Sequence, residues 1–199
     1  MSREYLATSR EEAVGLIRRG LEEARSSKMF VMITGPVGMD RNKLAYQAAD
    51  RKAREVMVSV EAYESIRPRG LIGAICRALG EADKGTLDQA LSRVIASLVE
   101  KPKLLVIDEA NYLPVQSLNQ LVHINNRAKV GIVLMGTDDL YFVIERPIVE
   151  RVRSRLKQTI CLDEYMMQEA EAGPEPEPEG RGKKVLKFGK RASKAGSGR

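Results

Sequence analysis

Tryptophan is absent from the 199 residues, histidine occurs once and cysteine only twice. The missing tryptophan excludes no fold class. Cys76 and Cys161 lie far apart, each within an apolar stretch. They exclude a disulfide framework and read as buried core residues of a protein held in a reducing compartment, the cytoplasm. His123 sits among Leu121, Val122 and Ile124 with no metal-ligating neighbour, and reads as structural. No apolar run approaches the roughly eighteen residues of a membrane span, so no membrane association is expected. The opening Met-Ser-Arg-Glu leads into a charged helical pattern, and no secretory signal is expected there.

What is present is a chain long enough for one core and a tail, with hydrophobic residues at 43%. The net charge of +6 is unevenly placed. Residues 1–165 carry 25 basic and 22 acidic side chains; residues 166–179 carry five glutamates and no base; residues 180–199 carry eight bases and no acid. Residues 1–165 read as a folded core domain and 166–199 as a disordered tail, an acidic Pro-Glu spacer followed by a basic segment. Eight bases can neutralise several phosphates, giving sequence-independent, salt-sensitive attachment to DNA. A solubilising end, or one that binds an acidic protein, is the alternative.

Within the core, apolar runs of strand length alternate with helical patterns. Thr8 or Ser9 caps a helix carrying Ala13, Val14, Ile17, Leu21 and Ala24 at helical spacing. Strands are predicted at 29–34, 56–60, 104–107, 131–135 and 158–162. Helices are predicted from Asp40 to Ala53, over 69–79, 86–99 and 115–128, and as short pieces over 138–157 interrupted at Pro147. Continuous apolar runs suit strands covered on both faces. The expected fold is α/β, a five-stranded parallel sheet between two layers of helices.

After Thr34 the sequence reads Gly35-Pro-Val-Gly38-Met-Asp40-Arg41-Asn42, where a phosphate-binding loop belongs. The working pattern, G-x-x-x-x-G-K-[ST], wraps phosphates in backbone amides, neutralises them with lysine and offers magnesium a hydroxyl. Gly35 and Gly38 are kept, but Asp40 stands for the second defining glycine, Arg41 for the lysine and Asn42 for the hydroxyl. Asp40 places a negative charge beside a polyphosphate, Arg41 is bulkier and planar, and Lys43 comes one position late. Asn42 retains only a carbonyl oxygen for magnesium. These changes predict weakened or lost ATP binding.

Leu104-Leu-Val-Ile-Asp108-Glu109 ends a strand in two carboxylates, the arrangement in which an aspartate holds magnesium and a glutamate polarises water. It follows the loop by about 65 residues with one intervening strand, a spacing that fits the P-loop class with an extra strand between its two motifs. Thr137, ending the next strand, is placed either to sense a γ-phosphate or to serve as a turn residue before Asp138. Arg151, Arg153 and Arg155 precede the last strand, where an arginine either enters a neighbouring subunit's site or lies on a solvated face.

Asp108-Glu-Ala-Asn-Tyr-Leu113, Leu118 to Asn126, Gly131-Ile-Val-Leu-Met-Gly-Thr137 and Ser154-Arg-Leu156 together resemble the AAA+ ATPases that regulate DNA transposition. These are the B protein of Mu-like phages and the related TnsC and TniB proteins; replication initiators and helicase loaders share the layout. The resemblance spans roughly residues 8–163 and implies a P-loop fold of the AAA+ type. It also implies ATP and Mg2+ as cofactors, self-association on duplex DNA, and help to a transposase in target selection. By position it assigns Asp108 and Glu109 to the acidic pair, Thr137 to the first sensor, and Arg155 to the arginine finger with Arg151 second. Gly35, Pro36, Gly38, Arg41 and Asn42 fall on the phosphate loop, and Asp108 and Asn42 on the metal. No separate helical lid is expected after the last strand, nor an N-terminal helix-turn-helix domain. The acidic pair favours an ATPase; the altered loop favours a non-hydrolysing DNA-binding or adaptor module working with an intact AAA+ paralogue.

Overall fold

The apolar runs become the strands of one parallel sheet. A computed structural model describes residues 3–162; the acidic spacer and basic tail read from the sequence lie outside the described residues. In chain order the elements are β1 (Arg3–Ala7), α1 (Arg10–Ser27), β2 (Phe30–Thr34), α2 (Arg41–Ala48), α3 (Arg51–Val56), β3 (Met57–Glu61) and α4 (Pro68–Leu79). There follow α5 (Leu87–Glu100), β4 (Leu104–Asp108), α6 (Val115–Ala128), β5 (Ile132–Gly136), α7 (Asp139–Ile144), α8 (Glu150–Arg153) and β6 (Leu156–Leu162). The spatial order is β1-β6-β2-β5-β4-β3, with every pairing parallel.

Period-two alternation divides the strand side chains between two cores. Phe30, Met32, Leu105, Ile107, Ile132 and Leu134 face α4, α5 and α6. Val31, Ile33, Leu104, Val106, Val133 and Met135 face α1 and α2. The helices therefore cover both faces, which is why the central strands lack exposed positions.

Local chemistry sets the helix ends. The Ser9 hydroxyl accepts from the Glu12 amide at 3.3 Å to start α1. Thr86 and Gln89 form a reciprocal capping box on α5. Gly131 lets β5 start against the end of α1, because a Cβ there would lie 2.1 Å from the Ala24 carbonyl oxygen.

The structure departs from the sequence reading in four places. The sheet has six strands rather than five: β1 adds to β6 at the edge, and its mostly exposed residues give no continuous apolar run to read. The helix expected from Asp40 to Ala53 is two helices, since Ala49 is extended and the Asp50 carboxylate accepts from the Ala53 amide at 2.6 Å, restarting the turn. Cys76 is buried as expected, but Cys161 is only half-buried, near Glu4 on the edge strand. His123 is exposed on α6 rather than packed between its apolar neighbours.

Candidate functional site

Parallel strands deliver all their C-terminal ends to one side of the sheet, where ligands of such folds bind. The turn after β2, the end of β4 and the end of β5 meet there. The Gly35 amide donates to the Gly136 carbonyl at 3.2 Å, joining the loop to β5. Gly38 has φ of +89°, a conformation L side chains rarely adopt, so the loop's turn depends on that glycine. Asp40 is the N-cap of α2, and its carboxylate accepts from the Lys43 amide at 2.9 Å. Pro36 is part of the turn, its carbonyl accepting from the Met39 amide at 3.4 Å.

Arg41 joins the two sequence motifs. Its side chain is only 3% exposed. One terminal nitrogen donates to the Gly35 and Pro36 carbonyls at 3.3 and 3.1 Å; the other donates to Glu109 Oε1 at 2.6 Å. Arg41 Nε lies 3.8 Å from Asp108 Oδ1, a charge contact but too long for a hydrogen bond. The guanidinium thus stands between the phosphate loop and both carboxylates.

The acidic pair is held in a strained turn. Glu109 has φ of +51°, and its amide donates to Asp108 Oδ1 at 2.9 Å. Burial pushes the Asp108 carboxyl above the ordinary aspartate value; the Glu109 amide and the Arg41 charge oppose this, and the charges of Glu109 and Asp40 add to it. The folded value therefore exceeds the unfolded one. Asp108's contribution to stability is complete below the unfolded value, about 3.9, and is lost as pH rises through the folded value. Asp108→Asn is accordingly expected to be at least as stable as the unaltered chain at pH 7, with the advantage vanishing by pH 4. Urea unfolding across that range checks this, and an advantage that grew on acidification would contradict it.

The remaining sequence-derived residues divide by position. Asn42 Oδ1 accepts from the Ser59 hydroxyl of β3 at 3.1 Å. Thr137 directly follows β5: its amide donates to Asn111 Oδ1 at 3.2 Å, and its hydroxyl lies 3.5 Å from Asp139 Oδ2. Arg155 is at the opposite end of the sheet, where its carbonyl accepts from the Phe30 amide opening β2. Its guanidinium donates to Asn126 Oδ1 at 3.0 and 3.2 Å and to the Arg151 carbonyl at 2.7 Å. β2 alone separates the two ends by about 13 Å at 3.3 Å per residue. Neither Arg155 nor Arg151, which lines an open recess with His123 and Asp88, joins Asp108 within the same chain.

Ser59, Asn111 and Asn126 were not singled out from the sequence. Each orients a residue that was, through a hydrogen bond across distant segments, and single polar residues of that kind carry no sequence signal.

A family model described as an AAA domain matches residues 24–144. Over 136 residues the chain is 29% identical to the Mu-like prophage FluMu DNA transposition protein B of Haemophilus influenzae; the match covers 68% of this chain and 45% of that one. The chain thus matches less than half the length of that relative. Among solved structures, Cdc6p of Pyrobaculum aerophilum superposes with a TM-score of 0.57 at 16% identity, covering 75% of this chain and 44% of that one. A chain of the Drosophila ORC bound to DNA superposes with a TM-score of 0.52 at 9% identity, covering 77% and 94%. At such identities these likenesses establish the fold. With the family match over most of the folded region and the loop and acidic strand meeting at one end of a parallel sheet, the chain belongs to the AAA family of P-loop domains.

Proposed function

We propose that this chain is a DNA-binding regulator of transposition that self-associates on DNA and assists a transposase in target selection, with ATP binding weakened or lost. The transposition part rests on its similarity to the FluMu transposition protein B. The nucleotide part rests on one observation, the Arg41 guanidinium held between Asp108 and Glu109. The pair that would face magnesium already has a buried cation. Asn42, the other oxygen donor offered to the metal, is bonded to Ser59. The Asp40 carboxylate occupies the amide end of α2, where a phosphate would be received. This donor set does not fit a magnesium nucleotide. The setting is the cytoplasm of a bacterial or phage-infected cell.

Titration calorimetry with magnesium-ATP, with and without duplex DNA, tests the reading. Weak or absent nucleotide binding together with sequence-independent DNA binding is expected. Micromolar or tighter ATP binding with rapid turnover would overturn the nucleotide part.

A second reading is favoured by the position of Arg155, remote from its own loop and on an outer end of the sheet. There it can serve an intact AAA+ partner, this chain acting as a non-hydrolysing adaptor. In mixed assemblies Arg155→Ala would then reduce the partner's turnover; unchanged turnover sets the adaptor reading aside.

A further inference from the structure

The end of the sheet opposite the phosphate loop has a charge pattern of its own. Five helix-to-strand junctions arrive there; α3 runs directly into β3, and the linking residues of the other four carry Lys28, Lys101, Lys103, Lys129 and Arg155 with no acidic residue. The loops leaving the other ends of β2 to β5 carry Asp40, Glu64, Glu109 and Asp138, with Arg67 as their single cation. The folded domain is therefore polar along its strands.

Three of these cations share one surface. Lys28, Lys129 and Arg155 line an open recess of about 530 Å³ together with Ser27, Asn126 and Ser154, and no carboxylate lines it. The strand order β6-β2-β5 sets Lys28 between Arg155 and Lys129. Backbone bonds fix that order: the Phe30 amide donates to the Arg155 carbonyl at 3.0 Å, and the Ile132 amide to the Met29 carbonyl at 3.2 Å. Asn125 Nδ2 donates to the Lys28 and Val130 carbonyls, both at 2.8 Å, clamping the two lysine-bearing turns together. Lys28 and Lys129 are exposed, and neither pairs with a carboxylate among the described residues. Further along the same edge, Lys101 lies 3.6 Å from Glu100, and Lys103 donates to the Glu55 carbonyl.

Each lysine has a local reason to be where it is. Lys28 and Lys129 are left-handed C-caps of α1 and α6, and a cation at a helix C-terminus is favourable. That reason places each one separately; the parallel topology brings them into one row.

We propose that this row, Arg155-Lys28-Lys129, is a binding surface for the phosphate backbone of duplex DNA on the folded core, additional to the basic tail. The proposal rests on the DNA-binding reading above and gives it a location and a direction. Neighbouring strands lie about 4.8 Å apart, so the row from β6 to β5 extends about 10 Å. That equals about three base-pair steps at 3.4 Å each. Asn126, whose Oδ1 accepts from Arg155, can donate from its Nδ2 to a phosphate oxygen beside the cations, whereas the Ser27 and Ser154 hydroxyls donate to the Glu23 and Arg151 carbonyls. The acidic loops repel a polyanion from the opposite end. A second copy presenting that acidic end is a poorer partner, because Arg41 already neutralises Asp108 and Glu109.

The test uses the full chain carrying Lys28→Asn/Lys129→Asn, since asparagine tolerates the left-handed cap conformation and removes only the charge. Fluorescence anisotropy with a duplex oligonucleotide, repeated over a salt series, gives the slope of log affinity against log salt. Loss of two phosphate contacts is expected to flatten the slope by about 1.8 and to lower low-salt affinity at least tenfold. Arg155→Gln added to the pair should flatten the slope further, while Lys43→Asn/Lys84→Asn, remote from the row, should not change it. Binding by the unaltered chain with no change of slope in the variant overturns the row and leaves the DNA reading standing. Absence of duplex binding by the unaltered chain sinks both. A variant that loses self-association in sedimentation yet keeps its slope assigns the row to a second copy instead.

Discussion

Replacing Asp40 by Gly, Arg41 by Lys and Asn42 by Ser in one chain is expected to raise affinity for magnesium-ATP at least tenfold, about 1.4 kcal/mol. Three physical effects act together. The Asp40 carboxylate now takes the Lys43 amide at the start of α2, so its removal frees a donor and deletes a negative charge. At 4 Å and an effective dielectric of 20, one charge pair is worth on the order of 4 kcal/mol before screening. Asp40 is exposed, so solvent reduces this and the expected gain is set well below it. Lysine in place of Arg41 supplies a compact point charge and withdraws the planar fork from Glu109. Serine at 42 offers magnesium a hydroxyl. Calorimetry on the two chains side by side decides the matter; equal affinities would show that the loop substitutions are not what limits nucleotide binding.

The second large effect concerns stability rather than ligand. Arg41→Ala removes the buried partner of two carboxylates and leaves the Gly35 and Pro36 carbonyls without their donor. Breaking a buried ion pair by removing one member costs about 3–5 kcal/mol. For a domain of this size that corresponds to a fall of roughly 10 °C in the unfolding midpoint. Arg41→Lys keeps the charge and should lose less. Adding Glu109→Gln to Arg41→Ala should restore part of the loss, because the stranded carboxylate is then neutral. Denaturant unfolding of the three variants measures these differences. A loss below about 1 kcal/mol for Arg41→Ala would mean that solvent reaches the pair and that Arg41 does not hold the site together.

The two predictions pull in opposite directions on one residue. The chain carries a cation that stabilises its own acidic motif, in a place where related folds receive charge from a bound ligand. Stability without ligand and affinity for ligand are thus alternatives at position 41. The tests separate them, since the triple change retains a cation there and Arg41→Ala does not.

Much of this was legible before any fold was known. The apolar runs Phe30–Thr34, Leu104–Asp108 and Ile132–Gly136 are too long and too uniform to be half-exposed, so they specify buried parallel strands. The edge strand Arg3–Ala7 was not legible, because an edge needs no such run. The break at Ala49 was hidden by helix-compatible residues on both sides, and Asp50 acts as a cap only once the chain has turned. The meeting of the phosphate loop with Asp108 and Glu109 followed from motif order.

The sequence by itself determined the class of fold, the identity of the altered loop residues and the order of the two motifs. These depend on local periodicity and residue type, which act within a few positions along the chain. Only the tertiary structure decided that Arg41 turns onto Asp108 and Glu109, that Arg155 lies a strand's length from its own loop, and that Lys28 and Lys129 stand side by side. Those are contacts between residues tens of positions apart. They exist because six parallel strands bring all their beginnings to one end and all their conclusions to the other.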